Sequence, residues 1–153
     1  MTEIEGTLRG SGLRIAIVAS RFNSGITRRL VAGAEAALKE AGVDAKDVTV
    51  ILVPGALEIP LTAQRAARSG RYDGIVAIGC VIRHETPHFE HVSREASSGI
   101  RQVALETGIP VTFGVLTVDN HDQAVARSEP DPSNRGFAAA MAAVEMVNLL
   151  KQV

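Results

Sequence analysis

The sequence predicts an α/β domain in which helices cover both faces of a parallel β-sheet. Four short runs are almost continuously apolar and rich in β-branched residues, which is typical of strands buried on both faces of such a sheet. Amphipathic helical stretches separate these runs, and the alternation of strand and helix favours a parallel sheet. The predicted strands are RIAIVA (14–19), VTVILV (48–53), GIVAIGCV (74–81) and PVTFGVL (110–116).

Each of the first three predicted helices is followed by a glycine, a common stop signal. These helices cover about residues 24–41, 57–69 and 87–107, ahead of Gly42, Gly70 and Gly108. A short helix near 122–127 and a final one over 135–150 complete the prediction. The weakly alternating IEGTL near the N-terminus is a candidate edge strand, in this sheet or in that of a neighbouring chain.

Length and composition indicate one globular domain, residues 1–153, with an extended segment over 1–12. Of the 153 residues 46% are hydrophobic and 22% are charged, as in ordinary globular proteins. The net charge of -1 gives no attraction to nucleic acid or anionic lipid. No apolar run approaches the ~20 residues that span a bilayer. The lone Cys80 excludes an internal disulfide, and the acidic, polar N-terminus is unlike a signal peptide, so we expect a cytoplasmic protein.

Unusual polar residues follow every predicted strand. Ligands of open α/β sheets bind at the carboxyl ends of the strands, where the strand order reverses. The connections at the opposite ends, such as GVDAKD and SGRYD, carry no comparable cluster. We therefore predict a small-molecule site among SRFN (20–23), PGALEIP (54–60), IRHETPHF (82–89) and TVDNHDQ (117–123).

Residues 84–88 read HETPH, the H-E-x-x-H pattern of zinc proteases. That pattern binds zinc only when both histidines lie one turn apart on a single helix. Pro87 disfavours helical backbone at Thr86 and cannot occupy a helix interior. We expect Thr86 to be the N-cap and Pro87 the first helical residue, which leaves His84 in the loop. The pattern therefore predicts no metal site.

The start of that helix suits an anion, because its backbone N–H groups are unpaired and its dipole end is positive. A histidine in the first turn, His88, is a candidate general acid and base, since imidazole exchanges protons near neutral pH. By this reasoning alone, a solvated or capping role for His88 is an equally good interpretation. Phe22 lies in a polar loop, where exposing an aromatic ring is unfavourable unless a planar ligand stacks on it.

The chain is similar, over essentially its whole length, to the lumazine synthase family (6,7-dimethyl-8-ribityllumazine synthase). Each matching segment is weak alone, but all occur in order and with matching spacing. The segments are IVASRFN (17–23), VPGALEIPL (53–61), YDGIVAIGCVIR (72–83), ETPHFEHV (85–92), IPVTFGVLT (109–117), DQAVAR (122–127) and NRG with AAMAAVEMVNL (134–149).

This resemblance implies a flavodoxin-like, three-layer fold with four parallel strands. It implies condensation of 5-amino-6-(D-ribitylamino)uracil with 3,4-dihydroxy-2-butanone 4-phosphate, the penultimate step of riboflavin biosynthesis. No metal or redox cofactor is expected. The implied partners are copies of the same chain, as a pentamer or an icosahedral shell of pentamers, and riboflavin synthase as a candidate partner enzyme.

The resemblance also implies roles for particular residues. His88 would be the general acid and base, Phe22 would stack on the pyrimidine, and Arg127 would pair with the phosphate. Phe113 would close the pocket from a neighbouring subunit. The other implied contacts are Ala56, Leu57 and Glu58 with the ring and ribityl chain, the backbones of Cys80, Val81 and Ile82 with the pyrimidine, and Glu85 and Thr86 with the phosphate.

Two positions depart from the family pattern. His84 stands where the family usually has glycine, and there it would either narrow the approach to phosphate or add a donor. Arg135, in SEPDPSNRG (128–136), replaces a lysine and keeps its charge near the phosphate side. Two rival hypotheses stay open: a flavin- or lumazine-binding module without turnover, and a mainly structural shell-forming protein. Nothing resembles the phosphate-binding loop of a redox flavodoxin.

Overall fold

Four strands and five α-helices alternate along the chain in the computed structural model, which describes residues 1–153. Two short 3-10 turns, Ala45–Asp47 and Ala56–Glu58, precede the second strand and the second helix. The elements are β1 (Ile15–Ser20), α1 (Ser24–Glu40), β2 (Val48–Val53), α2 (Ile59–Arg68), β3 (Gly74–Ile82), α3 (His88–Thr107), β4 (Val111–Val118), α4 (His121–Ala126) and α5 (Arg135–Leu150). The predicted α/β class and three-layer arrangement are confirmed, and every helix and strand predicted between residues 14 and 150 is present.

The strands form one parallel sheet in the order β2-β1-β3-β4. Successive side chains of a strand point to opposite faces, so β1 contributes to two cores. Ile15 and Ile17 pack in the core shared with α1 and α5, whereas Ala16 and Val18 pack in the core shared with α2 and α3. The two cores give the domain its three layers.

Burial on both faces, which was predicted for all four strands, holds for only part of the sheet. All residues of β1 are buried, and so are the first seven of β3. The prediction is wrong for β2, where Val50 and Leu52 are exposed, and for the start of β4, where Phe113 is exposed. Both strands are edges of the sheet, so one side of each has no neighbouring strand in this chain.

The N-terminal segment forms no strand in its own sheet, so the expectation of an edge strand fails within this chain. It lies along α5 instead. The amide of Asn148 donates to the backbone oxygens of Thr7 and Arg9, at 2.8 and 2.9 Å. Gln152 donates in the same way to Glu5. These three bonds fix the segment against the C-terminal helix, although it pairs with no strand of its own chain.

The loop between α4 and α5 is tied to α1 by one fully buried side chain, Asn134. Its amide oxygen accepts from the N–H groups of Gly136 and Phe137, which caps α5. Its amide nitrogen donates to the carbonyls of Arg29 and Glu129, at 3.2 and 3.0 Å. A single side chain thereby satisfies four backbone groups and fixes the loop on two helices.

Replacing Asn134 with alanine is expected to lower the free energy of unfolding by about 2–3 kcal/mol, because a cap is lost and buried polar groups lose their partner. The midpoint of urea unfolding, followed by circular dichroism, measures this change. The matched control is Asn120→Ala, at the exposed N-cap of α4 with one side-chain bond to Gln123, for which about 1 kcal/mol or less is expected. Equal losses in the two variants would contradict the special role of Asn134.

Candidate functional site

The strand order reverses between β1 and β3. After β1 the chain crosses to β2 on one side, and after β3 it crosses to β4 on the other. The pairing of β1 with β3 stops at Ile78, whereas β3 stays paired with β4 as far as Ile82. The last residues of β3 therefore have no strand beside them on the β1 side. This is the position at which open α/β sheets bind ligands.

A cleft of about 360 Å³ opens at this position. Its walls come from the segments that follow β1, β2 and β3 and from the first turns of α3. We use the term "cleft" for this set of residues throughout. The lining residues are Phe22, Gly55, Ala56, Leu57, Glu58, Cys80, Val81, Ile82, His84, Thr86, His88, Phe89 and Val92.

Phe22 lies at the rim of the cleft with 67% of its surface exposed. Its backbone N–H donates to the Pro54 oxygen at 3.2 Å, and that of Arg21 donates to the Val53 oxygen at 2.8 Å. These two bonds join the turn after β1 to the turn after β2. The backbone is thus fixed while the aromatic ring stays available to a planar ligand.

Asn23 is a site residue that the sequence reasoning did not single out. It has left-handed backbone, with φ 59° and ψ 47°, and it is the only non-glycine residue with positive φ. Its amide donates to the backbone oxygen of Cys80 at 2.8 Å, so that carbonyl on the cleft floor already has a partner. The sequence did carry a signal for this backbone conformation, because asparagine adopts left-handed backbone more readily than most residues.

The thiol of Cys80 is buried at the floor of the cleft. Burial disfavours the charged thiolate and raises the pKa of Cys80 to about 11. The thiolate is the nucleophilic form of cysteine. At neutral pH the side chain is therefore an apolar filler, and only the backbone of Cys80 can offer polar contacts.

The helix that carries His88 starts one residue later than predicted. Pro87 takes the cap position, and α3 begins at His88, so the assignment of Thr86 as N-cap is wrong. Thr86 makes no capping bond, and the ψ of 3° at Pro87 keeps that residue outside the regular helix. The N–H groups of His88 and Phe89 consequently have no protein acceptor.

His84 precedes this helix in a loop, and His88 is on the helix, as predicted for the HETPH sequence. The two histidines therefore do not share a helical face. No group of three or more His, Cys, Asp or Glu side chains is placed to hold a metal ion. The backbone at His84 has negative φ, so the glycine usual in the family is not needed for its conformation here.

An open polar basin lies beside the cleft, lined by Arg83, Glu85 and Asp119 together with His84 and Thr86. His84 and Thr86 line both the basin and the cleft. Glu85, in contrast, lines only the basin. The segment between β3 and α3 therefore forms the wall that separates the two spaces.

Phe113, Arg127 and Arg135 lie elsewhere, on a shallow surface of about 250 Å³ that we call the arginine patch. The backbone N–H of Arg135 donates to the Arg127 oxygen at 3.0 Å, which keeps the two arginines adjacent. Arg127 also donates from its guanidinium to the Gln123 oxygen. The arginine patch and the cleft share no residue. Within one chain these three side chains are thus separated from Phe22 and His88.

Gly55, Phe89 and Val92 also line the cleft but were absent from the predicted site residues. Phe89 and Val92 fit the helical stripe of α3, for which core packing is the default expectation. Both are only half-buried. Periodicity alone cannot distinguish a stripe that is covered along its whole length from one that opens into a cleft at its first turns.

Comparison with known families agrees with this geometry. The family model described as 6,7-dimethyl-8-ribityllumazine synthase matches residues 12–151. The match includes the cleft, the basin and the arginine patch. Among the helices of the structure, none has the length and apolar character needed to cross a membrane.

Cys80 is expected to resist alkylation in the folded protein. With a pKa of about 11, the thiolate is roughly one part in 1,000 of the thiol at pH 8. Incubation with iodoacetamide at pH 8, followed by mass spectrometry, should leave the folded chain unmodified on the timescale at which the urea-unfolded chain is fully modified. Equal rates in the two states would contradict the burial of this thiol.

Proposed function

The chain belongs to the 6,7-dimethyl-8-ribityllumazine synthase family, a family of transferases, and on that premise we propose that it condenses 5-amino-6-(D-ribitylamino)uracil with 3,4-dihydroxy-2-butanone 4-phosphate. Phosphate and water are the other products. The observation that carries this proposal is the gathering of Phe22, Glu58 and His88 around one cleft at the strand reversal.

The pyrimidine and its ribityl chain occupy the deeper part of the cleft. Phe22 offers an exposed aromatic face to the pyrimidine from the rim of the cleft, and Leu57 adds exposed apolar surface. Ile82 lies where β3 has lost its neighbour on the β1 side, so its backbone is free to bond the edge of the ring, and Val81 beside it lines the cleft. Glu58 accepts hydrogen bonds from the ribityl hydroxyls.

The phosphate of the second substrate lies at the start of α3. Unpaired N–H groups at a helix N-terminus bind anions, and here those of His88 and Phe89 have no internal acceptor. Thr86 adds a hydroxyl at the cleft wall, and His84 adds a ring N–H donor that a glycine would lack. Glu85 lines the adjoining basin, on the outer side of the same wall.

His88 moves the protons of the reaction. The 5-amino group of the pyrimidine attacks the ketone carbon, and loss of water gives an imine. Elimination of phosphate, attack by the ribityl-bearing nitrogen and loss of a second water then close the ring. Each stage adds or removes a proton at a group in the cleft, and an imidazole at the mouth of that cleft can serve them in turn.

A neighbouring copy of the chain completes the site. Arg127, Arg135 and Phe113 line a surface that shares no residue with the cleft of the same chain. Exposed apolar side chains on the sheet edges, including Val50 and Leu52 on β2, provide surface for association. We therefore propose a homo-oligomer, a pentamer or a shell of pentamers, in which each cleft faces the arginine patch of the next subunit.

Replacing His88 with alanine is expected to slow lumazine formation by about 10–100-fold. Loss of a general acid and base can slow a reaction by up to ~10⁴-fold, but a smaller effect is expected here because groups of the substrate can relay some of the protons. Fluorescence of the lumazine product measures the rate. The matched control is His91→Ala, which removes an exposed histidine of the same helix from outside the cleft and should leave the rate unchanged.

If the unmodified chain binds both substrates but gives no product, the binding-module hypothesis replaces this proposal. If His88→Ala keeps the full rate, the assignment of His88 is wrong even though the overall function stands.

The shared site predicts complementation between two impaired variants. In co-assembled oligomers of His88→Ala and Arg127→Ala chains mixed 1:1, about one quarter of the sites should combine an intact cleft with an intact arginine patch. The mixture should therefore recover roughly a quarter of normal activity, well above the roughly 1–10% expected for His88→Ala alone. Activity that never exceeds the sum of the separate variants would show that the two residues do not meet across a subunit contact.

A further inference from the structure

The wall between the cleft and the basin has no hydrogen bonds of its own. Residues 84–86 neither donate nor accept any backbone or side-chain hydrogen bond within the chain. Loops with so few internal contacts open at low free-energy cost. The position of this wall therefore depends on the residues at its two ends, Arg83 on one side and the first turn of α3 on the other.

One guanidinium links those two ends. Arg83 donates from Nε to the Asp119 carboxylate at 2.9 Å and from Nη1 to the Glu90 carboxylate at 3.4 Å. It also stacks on the ring of Phe89, 4.5 Å from the centroid. Its backbone N–H donates to the Val118 oxygen and so extends the pairing of β3 with β4 by one bond. A planar group with several fixed donors suits such simultaneous contacts better than an ammonium does.

Asp119 is itself anchored. Its backbone N–H donates to the side-chain oxygen of Gln123, on α4, at 2.8 Å. Phe89 lines the cleft, and Glu90 follows it on the same turn of α3 that begins with His88. Arg83 consequently connects the helix that carries His88 to the end of β4 and the start of α4.

We propose that Arg83 is a positioning residue that holds the first turn of α3, and with it His88, against the cleft. The proposal rests on the proposed function for its kinetic consequence. Arg83 does not line the cleft; it acts through its contacts with Phe89, Glu90 and Asp119. A displacement of about 1 Å in a reacting group can cost as much as 100-fold in rate, so a contact of this kind matters even when it adds little stability.

The chain offers a matched control at the opposite end of the sheet. Arg14, at the start of β1, pairs with Asp73 at 3.4 Å, and its side chain is 48% exposed. The Arg83 side chain is also 48% exposed, so solvent screens both ion pairs to a similar degree. Exposed pairs of this kind contribute roughly 0–1 kcal/mol to stability. Both arginine-to-methionine variants should therefore fold.

The kinetic test compares Arg83→Met, Arg83→Lys and Arg14→Met in the lumazine assay. We expect Arg83→Met to lower kcat about tenfold while KM for the ribitylaminouracil changes less than about threefold, because the Phe22 end of the cleft is untouched. Arg83→Lys should recover part of kcat, since it keeps the charge but loses the planar contacts. Arg14→Met should keep the normal kcat. A normal kcat in Arg83→Met, or an equal loss in Arg14→Met, overturns the proposal.

A second measurement does not depend on turnover. Amide hydrogen exchange of Glu90 and His91, whose N–H groups donate to the Pro87 oxygen, should be at least about tenfold faster in Arg83→Met than in the unmodified chain or in Arg14→Met, because the first turn of α3 opens more often. Unchanged exchange in this segment overturns the positioning role. Absence of turnover in the unmodified chain would instead contradict the proposed function, and hydrogen exchange alone would then decide the role of Arg83.

Discussion

β1 and β3 lie side by side, and the connections that follow them leave the sheet in opposite directions. This reversal prevents the two connections from covering the space between them. The space is widened because β1 stops pairing at Ile78 of β3, while β4 keeps β3 extended as far as Ile82. Every residue of the cleft depends on this difference in length, since it exposes the backbone of β3 and separates Phe22 from α3.

Several contacts keep that space from collapsing. Asn23 holds the carbonyl of Cys80 from the β1 side, and the bond from Phe22 to Pro54 holds the turns after β1 and β2 together. On the far side Arg83 joins the start of α3 to Asp119. These contacts involve backbone groups or charged side chains at the rim, whereas the apolar cores lie below them. The site is thus organised by polar contacts on a scaffold whose stability comes from burial.

The order of the helices and strands, and the edge of the sheet at which the site lies, could be predicted from the sequence. Hydrophobic periodicity reports burial, and β1, β3 and the helices were located by it with errors of at most two residues at their ends. The bounds of β2 were also predicted correctly, but its burial was not, because Val50 and Leu52 are as apolar as residues of a buried strand although they are exposed in this chain. Periodicity cannot tell whether an apolar side chain is covered by its own chain or by another.

Tertiary contacts between distant segments were beyond sequence reasoning. The bonds of Asn23 to Cys80 and of Asn134 to Arg29 join residues 57 and 105 positions apart, and no local pattern announces them. The division of the predicted site residues into the cleft and the arginine patch also required the structure. Only the three-dimensional arrangement separates Arg127 and Phe113 from His88.

The edge strand β2 has a further consequence for the lifetime of the isolated chain. An uncovered strand with unpaired backbone groups and apolar side chains is a template for pairing with any other exposed strand. Charged and proline residues, which commonly protect such edges, are absent from VTVILV. In the proposed oligomer, a neighbouring chain that covers β2 would guard the newly folded chain against aggregation. A substitution that weakens subunit contacts would reduce the amount of native protein recovered, even where each intact oligomer still works at its normal rate.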